Sequence, residues 1–553
     1  MGQTAQQPWL KIYDRLGVQT PEFADRPYGS YLEEHALERP DASAMWYVAR
    51  HISYSEFNAQ TNKLANALTA MGIGRGDVIG IHLPNIPQYA FALAAISKMG
   101  AIGSGLSPLL APPELAYQIQ DANIKIVITL SDIAPALASM PDTPDCLSTV
   151  ICTGAADLLV PAAFDLPDVN NAKTVSYLSI IQDASDDFKQ VDVNWNDTYM
   201  IQYTGGTTGR PKGAMLSHRN VMYNTDQTAA MKPYTIGEEV LLSAFPMFHI
   251  AGLSIAINFG RHGCMMIMVP NPRDTDFICA QLEKFPPSVI AGVPALYDMM
   301  VANPKFSTID FSKLKAALTG AAPMTKSSFE ALEDIVGKKR ISDVFGMTET
   351  GPCYTTNPTE FYKLGSVGIP LPNVNVRIRD VETGLKDMPI GDVGEITCSG
   401  PQVMKGYLDL PEESARALRE IDGEKYMFSG DVGYMDEDGF IFLCDRAKDM
   451  LNVGGYKVFS VEVEDKLCGM KEIAACAIIG TADEVRPGND VVNLYVEVAS
   501  DHKSDNEDEL RHNIIAYCRE TMAPYKVPKI IHFIDAIPLT AVGKIDKKAL
   551  RKA

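Results

Sequence analysis

The segment Tyr203-Thr-Gly-Gly-Thr-Thr-Gly-Arg-Pro-Lys-Gly-Ala-Met-Leu-Ser-His218 decides how the rest of the chain is organised. Strand-type residues 199–202 enter it, and we expect a helix to begin near Ser217 on its far side. Its glycines allow positive φ and a close approach of the backbone to a ligand, and successive backbone N–H groups in such a turn bind anions. Threonine hydroxyls and Lys212 add neutral donors and a positive charge. The segment therefore predicts a phosphate-binding loop, with a flexible polar loop that binds nothing as the simpler alternative.

This segment differs from the common nucleotide P-loop, in which the lysine of Gly-Lys-Ser/Thr opens a helix. Here Lys212 follows Pro211, which has no N–H to donate and fixes its own φ. The segment closely resembles the phosphate loop of the adenylate-forming superfamily, which contains acyl-CoA synthetases, aryl-CoA ligases, peptide-synthetase adenylation domains and beetle luciferases. Their usual pattern is Thr-Ser-Gly-Thr-Thr-Gly-x-Pro-Lys-Gly. Gly205 replaces the serine, as also occurs in fatty acyl-CoA synthetases, and this removes one hydroxyl from an otherwise complete loop.

Length and charge narrow the classes of protein to consider. A chain of 553 residues exceeds the size of a single growing core, so at least two domains are expected. The net charge of −20 disfavours nucleic acid and anionic membranes as partners, and a nucleotide or coenzyme A would need a local basic pocket. Ten singly scattered cysteines lack zinc-ligand spacing and predict reduced thiols in the cytoplasm. No signal peptide or membrane span is expected, while peripheral membrane association and a homodimer are left open.

The order of strand-like and helix-like segments predicts an α/β fold. Strands and helices alternate to about residue 330, which predicts a large N-terminal domain of two mostly parallel sheets flanked by helices. Residues 31–72 are expected to be helical in two pieces, the second capped by Ser55, and 154–195 to be irregular. After about residue 365, short strands predict a β-barrel-like subdomain. We place an N-terminal adenylation domain at 1–444, a hinge at 445–449 and a small mobile α+β domain at 450–553.

Four further segments match the same superfamily in the same order. In Phe345-Gly-Met-Thr-Glu-Thr350 the resemblance implies an aromatic against adenine, a threonine at the phosphate and Glu349 as the Mg²⁺ ligand, which suits a hard cation held by one carboxylate and phosphates. That string alone could be a helix start capped by Thr348. Asp343 would lie near the adenine amino group. The resemblance assigns nucleotide binding to Thr204, Gly205, Gly206, Thr207, Thr208, Gly209, Lys212, Gly320, Ala321, Ala322, Asp343, Val344, Phe345, Gly346, Met347, Thr348, Asp431, Arg446 and Lys544.

The later segments carry the ribose, hinge and adenylation assignments. Asp431 and Arg446 would contact the ribose, and Lys448 would be the hinge of the small domain. Lys544 matches the lysine that serves adenylation, where a preorganised charge is worth ~3–4 kcal/mol. As isolated stretches these are also compatible with turns, a hairpin and a basic tail. The loop expected to admit the coenzyme A thiol contains Gly454, Gly455 and Tyr456.

The expected acyl pocket lies between three segments of the large domain, and its assigned residues are Phe248, His249, Ala251, Gly252, Val293 and Gly320. Small residues there would leave an apolar slot in which each buried CH₂ contributes ~0.8 kcal/mol. The segments contain no carboxylate for an α-ammonium group, which disfavours amino acids. His249 could equally be a structural histidine. The resemblance assigns catalytic roles to Thr204, Lys212, His249 and Lys544.

The family implies two half-reactions that use ATP, Mg²⁺ and coenzyme A. A carboxylic acid and ATP give acyl-AMP and pyrophosphate, and a thiol then displaces AMP. The chain is most similar to bacterial-type fatty acyl-CoA synthetases of medium or long chain. An aryl- or branched-acid ligase of the 4-coumarate type shares Met247-Phe-His249 and Gly320-Ala-Ala-Pro323 and stays an alternative. So do a stand-alone adenylating enzyme that loads a carrier protein and a nonenzymatic nucleotide sensor.

Overall fold

The computed structural model describes residues 7–161, 163–204, 210–232, 234–454, 456–483, 485–502, 506–539 and 545–552. Its α-helices are α1 (Leu10–Leu16), α2 (Tyr28–Glu38), α3 (Tyr54–Ala70), α4 (Pro87–Met99), α5 (Pro112–Asp121), α6 (Pro135–Ala138), α7 (Tyr177–Ile181), α8 (His218–Met231), α9 (Ile250–Arg261), α10 (Thr275–Lys284), α11 (Pro294–Val301), α12 (Lys326–Val336), α13 (Pro411–Ala417), α14 (Ser460–Leu467), α15 (Glu507–Thr521) and α16 (Lys547–Leu550).

The first sixteen strands of the chain all lie in the two main sheets of the large domain: β1 (Ser43–Tyr47), β2 (Arg50–Ser53), β3 (Val78–His82), β4 (Ile102–Gly105), β5 (Ile124–Leu130), β6 (Thr149–Thr153), β7 (Lys173–Ser176), β8 (Thr198–Thr204), β9 (Lys212–Ser217), β10 (Val240–Ser243), β11 (Met265–Met268), β12 (Val289–Gly292), β13 (Ala316–Gly320), β14 (Ile341–Gly346), β15 (Cys353–Thr356) and β16 (Ile369–Pro370). The remaining strands are β17 (Asn375–Arg379), β18 (Gly394–Ser399), β19 (Gly406–Tyr407), β20 (Leu418–Ile421), β21 (Glu424–Met435), β22 (Ile441–Arg446), β23 (Leu451–Val453), β24 (Tyr456–Val458), β25 (Ile473–Ala482), β26 (Asp490–Val498) and β27 (Ile530–Ile534).

Two large sheets organise the N-terminal part. One has nine strands in the order β16-β15-β14-β13-β12-β10-β11-β1-β2, and the other has eight in the order β19-β9-β8-β4-β3-β5-β6-β7. Strands β10 to β14 and β3 to β8 pair in parallel, whereas antiparallel partners complete the edges. Parallel sheets need apolar cover on both faces, and this explains why α4, which has no polar face, is buried at every residue. The predicted fold class is confirmed.

The later part of the chain forms smaller sheets. Strands β17, β18, β20, β21 and β22 form an antiparallel sheet, and β25, β26 and β27 form the sheet of the C-terminal region. That second sheet has a hydrophobic core of its own, made with α14 and α15. The predicted domain limits stay predictions, and β22 runs to Arg446, two residues beyond the limit placed at 444. None of the helices in the described part of the chain has the length and apolar character that a bilayer crossing requires.

Two expectations about secondary structure are wrong. Residues 31–72 contain the hairpin β1–β2 between two helices, and Ser53 rather than Ser55 caps α3 by accepting the Glu56 N–H. Residues 154–195, expected to be irregular, contain β7 and α7. The helix expected to begin near Ser217 is confirmed, because Ser217 caps α8. Strand β9, which precedes this helix and pairs antiparallel with β8, was not predicted. Alternation of small and large apolar residues in β9 was too short to separate from a loop.

Candidate active site

The predicted phosphate loop joins β8 to β9. Thr204 and Lys212 face one another at the end of this antiparallel pair, so the fold brings the first and last side chains of the motif together. Between them, Gly205, Gly206, Thr207, Thr208 and Gly209 lie outside the described residues. The far end of the motif is fixed by Ser217, which caps α8 through the Asn220 N–H at 3.1 Å.

Lys212 is held by two residues that the sequence did not indicate. Its Nζ lies 2.8 Å from Oε2 of Glu413 and 4.7 Å from the centroid of the Tyr407 ring. The second contact has the geometry of a cation–π interaction. Its partners arrive from β19 and α13, because β19 pairs antiparallel with β9 and places Tyr407 opposite Ala214.

Glu349 lies on the other side of Tyr407. Its side chain is buried, and Tyr407 Oη donates a hydrogen bond to Glu349 Oε1 at 2.7 Å. Burial raises the pKa of the Glu349 carboxyl, while the Tyr407 hydrogen bond and the charges of Arg446 and Lys212 act in the opposite direction. The backbone is fixed too, since Met404 N–H donates to Glu349 O at 2.9 Å. Lys212, Tyr407 and Glu349 thus form one connected group, which we call the lysine–tyrosine–glutamate group.

The donor set of this group is suited to magnesium. Among the residues that the structure describes, no three His, Cys, Asp or Glu side chains gather as a metal site. A Mg²⁺ ion that bridges phosphates needs only one or two protein carboxylates, because phosphate oxygens and water complete its octahedron. A single buried carboxylate, Glu349, beside a phosphate-loop lysine meets that requirement.

The residues assigned to adenine lie at the carboxyl ends of two neighbouring parallel strands, β13 and β14. A Cβ on Gly320 would sit 2.7 Å from Val344 O, so only glycine allows these strands to pack. Ala321 follows with a positive φ of 67°, which a non-glycine residue rarely adopts. The ring of Phe345 packs edge-on against Tyr354, with centroids 5.3 Å apart. Gly346, Met347 and Thr348 continue from β14 into a short 3₁₀ turn.

Asp343 has partners that the sequence did not reveal. Tyr362 Oη donates a hydrogen bond to its carboxylate. Burial raises the pKa of Asp343 to about 6, against the effects of that bond and of the Lys232 charge. Burial also lowers the pKa of Lys232 to about 7, and its Nζ donates to Ser342 Oγ at 2.6 Å. Asp343 is therefore engaged with Tyr362 while it lies at the edge predicted to receive adenine.

The two residues assigned to the ribose are in contact. Arg446 Nε lies 2.7 Å from Asp431 Oδ1, and the two face each other across β21 and β22. Asp431 is also fixed by its own N–H, which donates to Ser429 Oγ at 3.0 Å. The pair places one carboxylate and one guanidinium on the same patch of the antiparallel sheet.

The hinge and thiol-loop residues lie just beyond this pair. Lys448 follows β22, and burial lowers its pKa. Gly454 lies in the β23–β24 turn with φ of 62° and no atom within 4 Å of the position of a Cβ, so backbone conformation accounts for this glycine. Tyr456 is 59% exposed and stacks on Tyr525 with centroids 4.5 Å apart. Gly455 and Lys544 lie outside the described residues.

Four of the assigned acyl-pocket residues, Phe248, His249, Ala251 and Gly252, lie at the start of α9. His249 caps this helix, and its Nδ1 accepts the Ala251 N–H at 3.3 Å, which fits the structural interpretation of this histidine. A Cβ on Gly252 would lie 2.2 Å from Pro246 O. At Gly252 and Gly320, backbone oxygens therefore fill the position that a Cβ would occupy, and the apolar slot expected for an alkyl chain stays a prediction. The carbonyl of Phe248 lies against Gly105, and Val293 is the residue that precedes α11.

Sequence reasoning missed Tyr407 and Glu413. They lie 58 residues from Glu349 and 201 residues from Lys212 respectively, in segments without a motif of their own. These residues reach Lys212 because the short strand Gly406–Tyr407 pairs with β9. That pairing is visible only in the folded chain, so the sequence alone could not have identified them.

Comparison with known proteins places the chain in one family. The model of the AMP-binding enzyme family matches residues 32–408, and that of the AMP-binding enzyme C-terminal domain matches residues 462–544. A long-chain-fatty-acid–CoA ligase of Bacillus subtilis (strain 168) is 32% identical over 99% of this chain and 98% of its own length. A feruloyl-CoA synthase of Amycolatopsis sp is 32% identical over 95% of this chain and 98% of its own.

A solved structure shares the architecture. ATP-bound MatB from Rhodopseudomonas palustris superimposes with a TM-score of 0.81 at 27% identity, covering 95% of this chain and 99% of its own. The first family model alone spans more than half of the chain. The chain therefore belongs to the AMP-binding enzyme family, the adenylate-forming superfamily that its phosphate loop predicted.

Proposed function

We propose that the protein is an AMP-forming acyl-CoA synthetase that uses a medium- or long-chain fatty acid. It joins the acid to AMP with release of pyrophosphate, and then transfers the acyl group to coenzyme A. Full-length similarity to long-chain-fatty-acid–CoA ligases supports the reaction class. The structural observation that carries the proposal is the lysine–tyrosine–glutamate group, because it gathers a cation and a buried carboxylate from three distant segments beside the phosphate loop.

In the first half-reaction the chain's residues hold ATP for in-line attack. Thr204 and Lys212 bind the phosphates, and Asp431 with Arg446 binds the ribose. Glu349, held by Tyr407, would hold Mg²⁺, and the ion would supply positive charge that neutralises the phosphates. Lys544 stabilises negative charge that builds on the reacting phosphate.

The remaining assigned residues position the base, the acid and the thiol. Adenine lies along 320–322 and 343–347, and the acid lies beside α9. Rotation about Lys448 then brings the loop 454–456 to the site, where the thiol attacks the acyl carbonyl and AMP leaves. Holding the two reactants in place converts a bimolecular step into an effectively unimolecular one.

A second candidate, an aromatic acid–CoA ligase, is supported by the similarity to a feruloyl-CoA synthase. Pyrophosphate exchange separates the two. Purified protein with Mg²⁺, ATP and labelled pyrophosphate is tested with acids from C2 to C18 and with hydroxycinnamic acids, followed by coenzyme A–dependent AMP release. Exchange that peaks with C8 to C18 acids is expected, and a preference for aromatic acids supports the alternative. No exchange with any acid contradicts the proposed reaction class, while exchange without coenzyme A turnover indicates loading of a different thiol.

A further inference from the structure

Two cysteines of the C-terminal region face each other outside the candidate active site. Cys468 is the residue that follows α14, and Cys476 lies on β25. Their sulfur atoms are 3.6 Å apart. Cys468 is exposed, whereas Cys476 is 2% exposed and packs into the hydrophobic core between α14 and β25.

The surroundings of the two thiols shift their pKa values in opposite directions. The hydrogen bond from Cys476 lowers the pKa of Cys468 to about 7, although burial and the carboxylates of Asp465 and Glu464 act in the opposite direction. The same hydrogen bond, together with burial, raises the pKa of Cys476. Because the thiolate is the nucleophilic form of cysteine, the exposed member of the pair is the reactive one and the buried member is held beside it.

We propose that Cys468 and Cys476 form a modification site, at which a hydroperoxide oxidises Cys468 and Cys476 then closes a reversible disulfide. In the first step the Cys468 sulfur attacks the peroxide, an S–O bond forms, the O–O bond breaks, and the released oxygen takes a proton and leaves as water or an alcohol. In the second step the Cys476 sulfur attacks Cys468, the S–S bond forms, the S–O bond breaks, and water leaves with the Cys476 proton. Two thiols are oxidised by two electrons in total, and one hydroperoxide is reduced.

The fold allows the sulfurs of Cys468 and Cys476 to come within bonding distance. A disulfide has an S–S length of ~2.05 Å, so the sulfurs must approach by roughly 1.5 Å from their present 3.6 Å. Cys468 is placed to make that movement, because it ends its helix and is followed by Gly469. Strand β25 is an edge strand whose other side pairs with β26, so Cys476 stays in place while the helix end moves.

The chain supplies a matched control in Cys518. This residue lies on α15 in the same core, and it is fully buried. Burial raises the pKa of Cys518 to about 11, which leaves it protonated at neutral pH. Cys518→Ser therefore removes a thiol of the same domain without touching the proposed site.

The test counts thiols in the full-length protein. Reduced protein is treated with hydrogen peroxide, denatured and alkylated, and its peptides are mapped by mass spectrometry before and after dithiothreitol. We expect ten alkylated thiols to fall to eight, a cross-linked peptide that joins Cys468 to Cys476, and full recovery with dithiothreitol. Cys518→Ser should form the same cross-link.

Two variants separate the steps. Cys468→Ser, a surface change, should abolish the loss of thiols, while Cys476→Ser should leave a sulfenic acid on Cys468 that dimedone traps. If Cys476→Ser does not fold, the wild-type map and Cys468→Ser still decide the matter. Retention of all ten thiols, a cross-link between other cysteines, or unchanged oxidation in Cys468→Ser would overturn the proposal.

Discussion

Glu413→Gln is expected to strengthen ATP binding, because the phosphates must displace the ion pair that this carboxylate makes with Lys212. The Nζ–Oε2 distance is 2.8 Å, and the two side chains are 21% and 34% exposed. Solvent screens a pair of this exposure, so we expect a contribution of ~0.2–1 kcal/mol. That range corresponds to a roughly 1.5- to 5-fold lower Kd for ATP, with a similarly small change in folding stability.

The pH dependence follows from the same contact. The hydrogen bond from Lys212 lowers the pKa of Glu413, so the pair is present above the ordinary carboxyl pKa and is lost as pH falls through the lowered value. The advantage of Glu413→Gln over wild type should therefore shrink in acid. Isothermal titration with a non-hydrolysable ATP analogue should show a constant advantage between pH 5 and pH 8, and a smaller one only below the ordinary carboxyl pKa.

Glu412→Gln is the matched control for this experiment. It removes the same charge one residue away, where the side chain is 88% exposed and pairs with Arg416 at 3.6 Å. A gain confined to Glu413→Gln supports local competition for Lys212. Equal gains in both variants would mean that net charge alone is responsible, and weaker binding in Glu413→Gln would mean that Glu413 positions the lysine; either result refutes the reasoning.

Three more changes probe the site and the fold. Tyr407→Phe removes the donor to buried Glu349 but keeps the ring beneath Lys212, so urea unfolding should show a loss of about 1–3 kcal/mol; an unchanged midpoint would contradict the contact. Burial raises the pKa of Asp343 to about 6, so its contribution to stability is complete below about pH 4 and lost as pH rises through 6. Asp343→Asn should lack that decline in urea midpoints measured from pH 4 to 7, and a parallel decline in both proteins would exclude Asp343 as its source. Lys544→Ala should slow acyl-AMP formation ~10²–10³-fold and spare thioester formation from supplied acyl-AMP, whereas equal damage to both steps would count against this role.

The sequence predicted the parts of the fold that depend on local pattern. Alternation of strands and helices predicted the two parallel sheets, and the helix expected near Ser217 begins there as α8. The segment 43–53 was expected to be helical but forms two strands. These strands are short and lie between two helices, and the spacing of apolar residues in so short a run does not distinguish a strand from a helix. The long strand β21 was not identified either, since its Ser429-Gly-Asp431 has the composition of a turn.

Contacts between distant segments lie beyond such patterns. Single residues such as Tyr407 and Glu413 carry no period and no motif, and their relation to Lys212 exists only because β19 pairs with β9. The reason for a glycine at a given position can also depend on a contact that the sequence pattern does not reveal. Gly252 was assigned to a slot for substrate, yet a Cβ there would lie 2.2 Å from Pro246 O, a constraint that only the folded backbone reveals.

The ion pairs at the site limit what its basic residues can contribute to nucleotide binding in a chain of net charge −20. Lys212 and Arg446, both assigned to the nucleotide, each rest against a carboxylate, Glu413 and Asp431 respectively. Nucleotide binding would then exchange one ion pair for another, and such exchange yields little net Coulomb energy at partly exposed positions. The main gain must come from directional donors, namely backbone N–H groups and hydroxyls such as that of Thr204, whose hydrogen bonds to charged oxygens are worth about 1.5–3 kcal/mol each. Affinity at this site should therefore depend more on the geometry of the β8–β9 turn than on the number of basic residues around it.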